Sequence, residues 1–224
     1  MTNQRVEGFL PSTHGFHFAN AWPHGPTVRF GPLDPRIIGV GDAADGLCGG
    51  MVYTAADLFI AGVPVPPDRE PFANGSARFN SIVRRQVQSL AWLTVPIRYW
   101  LRSALGGSFG SDRARATLDR EWPKAKAEID AGRLVLIGLI RVATVNPWQL
   151  TVNHQVMAYG YAEDGRGVTL DLYDPNWPDR DDVAITIHLD PAFRPTGLSQ
   201  STGEPLLGWF VLPYSPADPR VWRF

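Results

Sequence analysis

The chain of 224 residues is poor in the side chains that most simply build a cross-linked or metal-bound protein, with one cysteine and five histidines. A single cysteine excludes a disulfide within the chain and any zinc site that needs two thiolates, so Cys48 is either an inert core thiol or a reactive one. Net charge is also missing, with 21 lysines and arginines against 22 aspartates and glutamates. No general field draws nucleic acid or an anionic membrane, and neither is expected as a partner. The opening MTNQRVEGFLPSTHG lacks the apolar run of roughly 7–15 residues of a secretory signal. No later segment approaches the roughly 18 apolar residues that span a bilayer. A cytoplasmic protein is the expectation.

Hydrophobic residues make up 44% of the chain and charged residues 19%, a balance that folds into a globule. Residues 1–47 are rich in proline, glycine, histidine and aromatics without a helical period, and read as an irregular arm with at most a short strand. At Cys48 the texture changes. CGGMVYTAADLFIAG puts Met51, Ala55, Leu58 and Phe59 on one helical face, and Gly62 and Pro64 stop it, so Cys48 stands at the entrance of a buried helix. A proline-rich loop follows over 64–74. Helices are expected over Ala77–Trp92, with Leu90, Trp92 and Leu93 as core anchors nearby, and over Pro96–Leu105. Gly106, Gly107 and Gly110 then break the chain, and a further helix from about Asp112 to Ala131 is kinked or divided at Pro123.

Beyond Gly132 the pattern becomes short β-rich runs: Leu134–Val142, His154–Tyr161, Val168–Tyr173, Val183–Leu189 and Gly208–Leu212. Helices first and strands afterwards predict an α+β fold in one domain, 1–224, with an arm (1–47), a helical lobe (48–132) and an antiparallel sheet lobe (133–224).

A thiol attacks as thiolate, which a helix N-terminus and a nearby imidazolium both stabilise. Cys48 meets the first condition, and Gly49 and Gly50 are expected to leave the first helical amides open to a reacting carbonyl oxygen. His154 opens a strand whose alternation groups it with Val156 and Ala158. The next strand ends near Asp174 and Asn176, within reach of the imidazole, where one of them would accept the Nδ1 proton. A cysteine opening a central helix, a histidine starting a strand and an Asp or Asn ending the next resemble the papain-like cysteine peptidases.

That resemblance covers most of the chain in order and architecture, though its motifs are short. It implies Cys48 as nucleophile, His154 as general base and Asp174 as the orienting group. Asn176 followed by Trp177 is similar to the family's orienting asparagine and shielding tryptophan, so Asn176 competes with the preferred Asp174. Where the family places an oxyanion-hole glutamine, six residues before the cysteine, this chain has Asp42. A carboxylate is a poor donor, so the hole would draw on the Cys48 amide and a second group such as Asn153.

The expected activity is a cysteine hydrolase acting on a peptide, amide or acyl substrate without a cofactor. An acyltransferase or transglutaminase-like enzyme with the same triad is the alternative, and an inactive binding protein of this fold is a third. Other motifs carry less. His14, His17 and His24 lack a recognised metal geometry. Asp179, Asp181 and Asp182 could join Asp174 around calcium but lack the glycine and terminal glutamate of a calcium loop. Gly39–Ala44 matches a dinucleotide fingerprint without its βαβ context. Trp22, Trp148 and Trp177 are candidates for walls of a cleft.

Overall fold

The computed structural model describes residues 2–22, 46–91, 94–105, 113–146, 149, 152–222 and 224. Asp42, the 39–44 glycine run, His24, Trp92, Leu93, Gly106, Gly107, Gly110 and Trp148 lie outside the described residues. Helices and one antiparallel sheet make an α+β protein, and no helix among the described residues is long and apolar enough to cross a membrane.

The described part of the arm holds the short strand its composition allows and one helical turn. It opens with strand β1 (Thr2–Arg5) and a single helical turn α1 (Pro11–His14). Helix α2 (Cys48–Ile60) follows. It ends in a Schellman motif: Gly62 takes φ 63°, and Val63 N returns to Leu58 O at 2.9 Å. Spacing predicts one buried face, yet Val52, Tyr53, Ala56 and even Thr54 and Asp57 are buried with Met51, Ala55 and Leu58. The helix is enclosed all round because the sheet covers Val52, Tyr53, Ala55 and Ala56, while the aromatics of the arm cover Met51 and Leu58.

Helix α3 (Ala77–Ser89) starts at Ser76, whose hydroxyl accepts from Phe79 N at 3.2 Å, and stops before the expected Trp92, with Ala91 at φ 42°. It crosses α2 so closely that a Cβ on Gly50 would strike the Ile82 carbonyl. Backbone cannot yield as a flexible side chain can, so Gly50→Ala is expected to cost about 3 kcal/mol, read as a lower urea midpoint at unchanged m-value. A midpoint shift under about 0.5 kcal/mol would show that the helices are free to separate.

Helix α4 spans Thr94–Leu105. The helix expected at 112–131 is divided into α5 (Arg113–Ala116), a π turn (Thr117–Glu121) and α6 (Trp122–Asp130). Pro123 sits in the first turn of α6, where its missing N–H is no loss, and the turn before it widens so that Trp122 N bonds Thr117 O.

Strands β2 (Val135–Ile140), β3 (His154–Asp164), β4 (Gly167–Tyr173), β5 (Ala184–Leu189), β6 (Pro195–Gln200) and β7 (Gly208–Val211) complete the sheet. Among the described residues seven strands join antiparallel in the order β6-β5-β4-β3-β2-β7, with β1 paired to β3. β1 takes over the edge of β3 that β2 leaves at Ala158, pairing Arg5 with Gly160. Alternation sorts the strands onto two cores. Val135, Ile137, Leu139, Val156, Ala158, Leu170 and Leu172 face α6, while Leu136, Ile140, Met157, Tyr159 and Phe210 face α2. The start of β3 is thereby laid beside the N-terminus of α2.

Candidate active site

Cys48 is the first residue of α2 and is partly exposed. Its sulfur is coupled to the His154 side chain and to the backbone N–H groups of Gln155 and Gly49, all of which lower its pKa. His154, buried at the start of β3, is held on its other side by Asp174, with Nε2 2.6 Å from Oδ1. This reverses the sequence expectation that the carboxylate takes Nδ1: with Nε2 engaged by Asp174, Nδ1 is left for the thiol. The backbone is fixed as well, since Tyr99 Oη donates to His154 O at 2.8 Å.

Asp174 leaves the β3–β4 ladder just after Tyr173, opposite Met157, and is fully buried. Its Oδ1 also accepts from Asn176 N at 2.9 Å, and its Oδ2 from Gln200 Nε2 at 3.4 Å, with Arg141 3.9 Å away. Arg141 in turn pairs with Glu204 at 3.1 Å. A polar layer of Arg141, Gln200 and Glu204 thus backs the carboxylate. Sequence reasoning missed these residues and Asn20; the only signal is a charged residue closing the apolar run of β2.

Of the two candidates for the third member, Asp174 touches the imidazole. Asn176 is not the group on the ring: its N–H holds Asp174, and its Oδ1 accepts from Asn20 Nδ2 at 3.3 Å. Trp177 is partly buried against the core that faces α6, with the Arg180 guanidinium 5.3 Å from its ring centre. Trp22 does not wall a cleft. It is buried among Phe18 and Phe79, and its Nε1 donates to Asn20 Oδ1.

One expectation about the oxyanion site is corrected in part. The amide of Gly50 is not open, because Gly50 N donates to Gln86 Oε1 at 2.8 Å. These glycines serve close packing: a Cβ on Gly49 would collide with Ser89 and Gln155. Asn153 uses Oδ1 to accept from Arg141 N at 2.9 Å, and its Nδ2 is buried.

Burial pushes the Cys48 thiol up, but the His154 charge, its hydrogen bond and the two backbone N–H groups outweigh burial and leave the thiol below its ordinary value. Burial likewise opposes a charged His154, yet Asp174 and the Cys48 thiolate raise it to about 10. Asp174 is lowered: burial is overcome by His154, the Asn176 N–H and Arg141. All three directions favour a thiolate–imidazolium pair backed by a carboxylate.

Among the described residues, other groups weighed as metal ligands have protein partners. His17 Nδ1 lies 2.5 Å from Asp179, Asp181 accepts from Ser12, and Asp182 pairs with Arg180. Among the described residues no cluster of three or more His, Cys, Asp or Glu side chains is arranged to hold a metal ion. No family model, curated protein or solved structure matches this chain.

Proposed function

We propose that the protein is a papain-like cysteine hydrolase that cleaves a peptide, amide or other acyl bond through a thioester on Cys48. The observation that carries this reading is the placement of Cys48 at the start of α2, electrostatically coupled to His154, whose Nε2 lies 2.6 Å from Asp174 Oδ1. The Cys48 thiolate attacks the carbonyl carbon, and the carbonyl electrons move to oxygen near the positive end of α2. As the tetrahedral species collapses, His154 gives its Nδ1 proton to the leaving amine or alcohol. Neutral His154 then takes a proton from water as its oxygen attacks the thioester, and collapse of this second tetrahedral species breaks the C–S bond, releasing the acid and the Cys48 thiolate, so that the proton kept on His154 restores the starting pair. Asp174 keeps the ring oriented and stabilises its charge throughout. An added amine that captures the acyl group in preference to water would place the enzyme with acyltransferases instead.

Acid-quench mass spectrometry after exposure to activated esters and peptide amides tests the reading. An acyl adduct on Cys48, absent from Cys48→Ser, is expected; no adduct and no turnover across both substrate classes would refute it. For a turned-over substrate, kcat/KM reports the free enzyme. It should rise below the ordinary thiol range as the thiolate forms and fall near pH 10 as His154 loses the proton it must donate. Alkylation needs only the thiolate and should not fall there.

A further inference from the structure

Asn20 belongs to the arm, far in sequence from the three residues of the site, yet its side chain joins the two segments that carry them. Its Oδ1 accepts from Leu47 N at 2.6 Å and from Trp22 Nε1 at 3.0 Å, using both acceptor sites of the amide oxygen. Its Nδ2 donates to Asn176 Oδ1 at 3.3 Å, and its backbone N donates to Pro175 O at 2.9 Å. Leu47 immediately precedes Cys48, and Pro175 and Asn176 form the turn whose N–H holds Asp174. Gly46, at φ 93°, allows this approach, since a Cβ there would lie 2.7 Å from Asn20 Nδ2. One amide therefore spans the distance between the nucleophile's helix and the turn of the orienting carboxylate, on the side of the site away from the β3–β4 ladder.

We infer that Asn20 is a positioning residue that sets the Cys48 sulfur against the His154–Asp174 pair, an inference that rests on the hydrolase reading above. Loss of this tie leaves α2 and the Asp174 turn each folded on its own contacts but lets the thiol drift from the imidazolium. A sulfur farther from that charge reverts toward ordinary thiol behaviour.

The test is a double-mutant cycle on Cys48 alkylation by iodoacetamide, followed across pH in wild type, Asn20→Ala, Asn176→Ala and the double variant. Asn176→Ala removes only a side chain and keeps the N–H that Asp174 uses. Asn20→Ala is expected to slow alkylation at pH 6.5 by roughly tenfold, the order of factor one ordinary hydrogen bond is worth, and to move the profile upward. Asn176→Ala should do the same to a smaller degree, and the double variant should be no slower than Asn20→Ala.

Variants that melt at lower temperature but keep the wild-type profile would overturn the inference, since a purely structural role changes stability alone. If Asn20→Ala does not fold, Asn176→Ala is judged by the same criterion. His154→Ala separates the two ideas. A profile unchanged by His154→Ala defeats the hydrolase reading itself, whereas one changed by His154→Ala and untouched by the asparagine variants defeats only the positioning role.

Discussion

Replacing His154 with alanine is expected to slow iodoacetamide alkylation of Cys48 at pH 6 by about 10- to 100-fold while leaving the rate above pH 9 nearly unchanged. An ordinary thiol with a pKa of about 8.5 is ionised at pH 6 to only roughly one part in three hundred. In the intact site the His154 charge and two backbone N–H groups hold the thiol lower, which raises the thiolate fraction. The rate should fall less than the ionised fraction, because a thiolate of lower pKa is intrinsically less nucleophilic. The chain has one cysteine, so all label reports on this site. Identical profiles for the two proteins would mean that the Cys48–His154 contact has no electrostatic consequence in solution.

The second large effect concerns a buried ion pair beneath the site. Asp57 of α2 and Arg85 of α3 meet at 2.8 Å, with side chains 1% and 6% exposed. Asp57 Oδ1 also accepts from Tyr214 Oη at 2.8 Å and Ala217 N at 3.0 Å, while Arg85 donates to Ser215 O and lies over the rings of Tyr53 and Tyr214. The two partners are not equivalent. Burial raises the Asp57 carboxyl despite the Ala217 N–H, Arg85 and Tyr214, so it can take a proton if its partner is lost. A guanidinium has no such escape.

Asp57→Ala, which strands the cation, should therefore cost about 3–5 kcal/mol and lower the melting temperature by about 10 °C. Arg85→Met, which fills the volume and leaves a carboxyl able to neutralise itself, should cost about half as much. Thermal melts of the two variants check this. Equal losses, or the reverse order, would show that packing of the arginine stem rather than stranded charge governs the site.

The parts of this architecture that were readable share one cause: their burial leaves a period in the sequence. Helix α2 shows it in Met51, Ala55 and Leu58, and β2 through β5 show it as apolar runs between turn residues. β1 gives no such signal, because Thr2, Asn3, Gln4 and Arg5 are all exposed and pair through backbone alone. β6 was equally silent, since Pro195 and Gly197 interrupt a strand that is mostly half-exposed.

At the site, Cys48, His154 and Asp174 could be singled out because each sits at the end of an element with a visible period. Asn20, Arg141 and Gln200 act through contacts across 26 to 156 residues of sequence, which no local pattern encodes. The ring nitrogen facing Asp174 was likewise beyond reach, because it depends on a side-chain rotation rather than on residue order.

The register of α2 against β3 also has a consequence for how the molecule comes into being. During synthesis the cysteine leaves the ribosome 106 residues ahead of the histidine that polarises it (154 − 48). At translation rates of about 5–20 residues per second, that interval lasts roughly 5 to 20 s. The carbonyl and N–H that α2 takes from Pro213 and Ala217 arrive later still. Throughout that time the thiol has only its own helix to lower its pKa. The contacts with His154 and Gln155 that lower the thiol therefore form only once the sheet has closed around it.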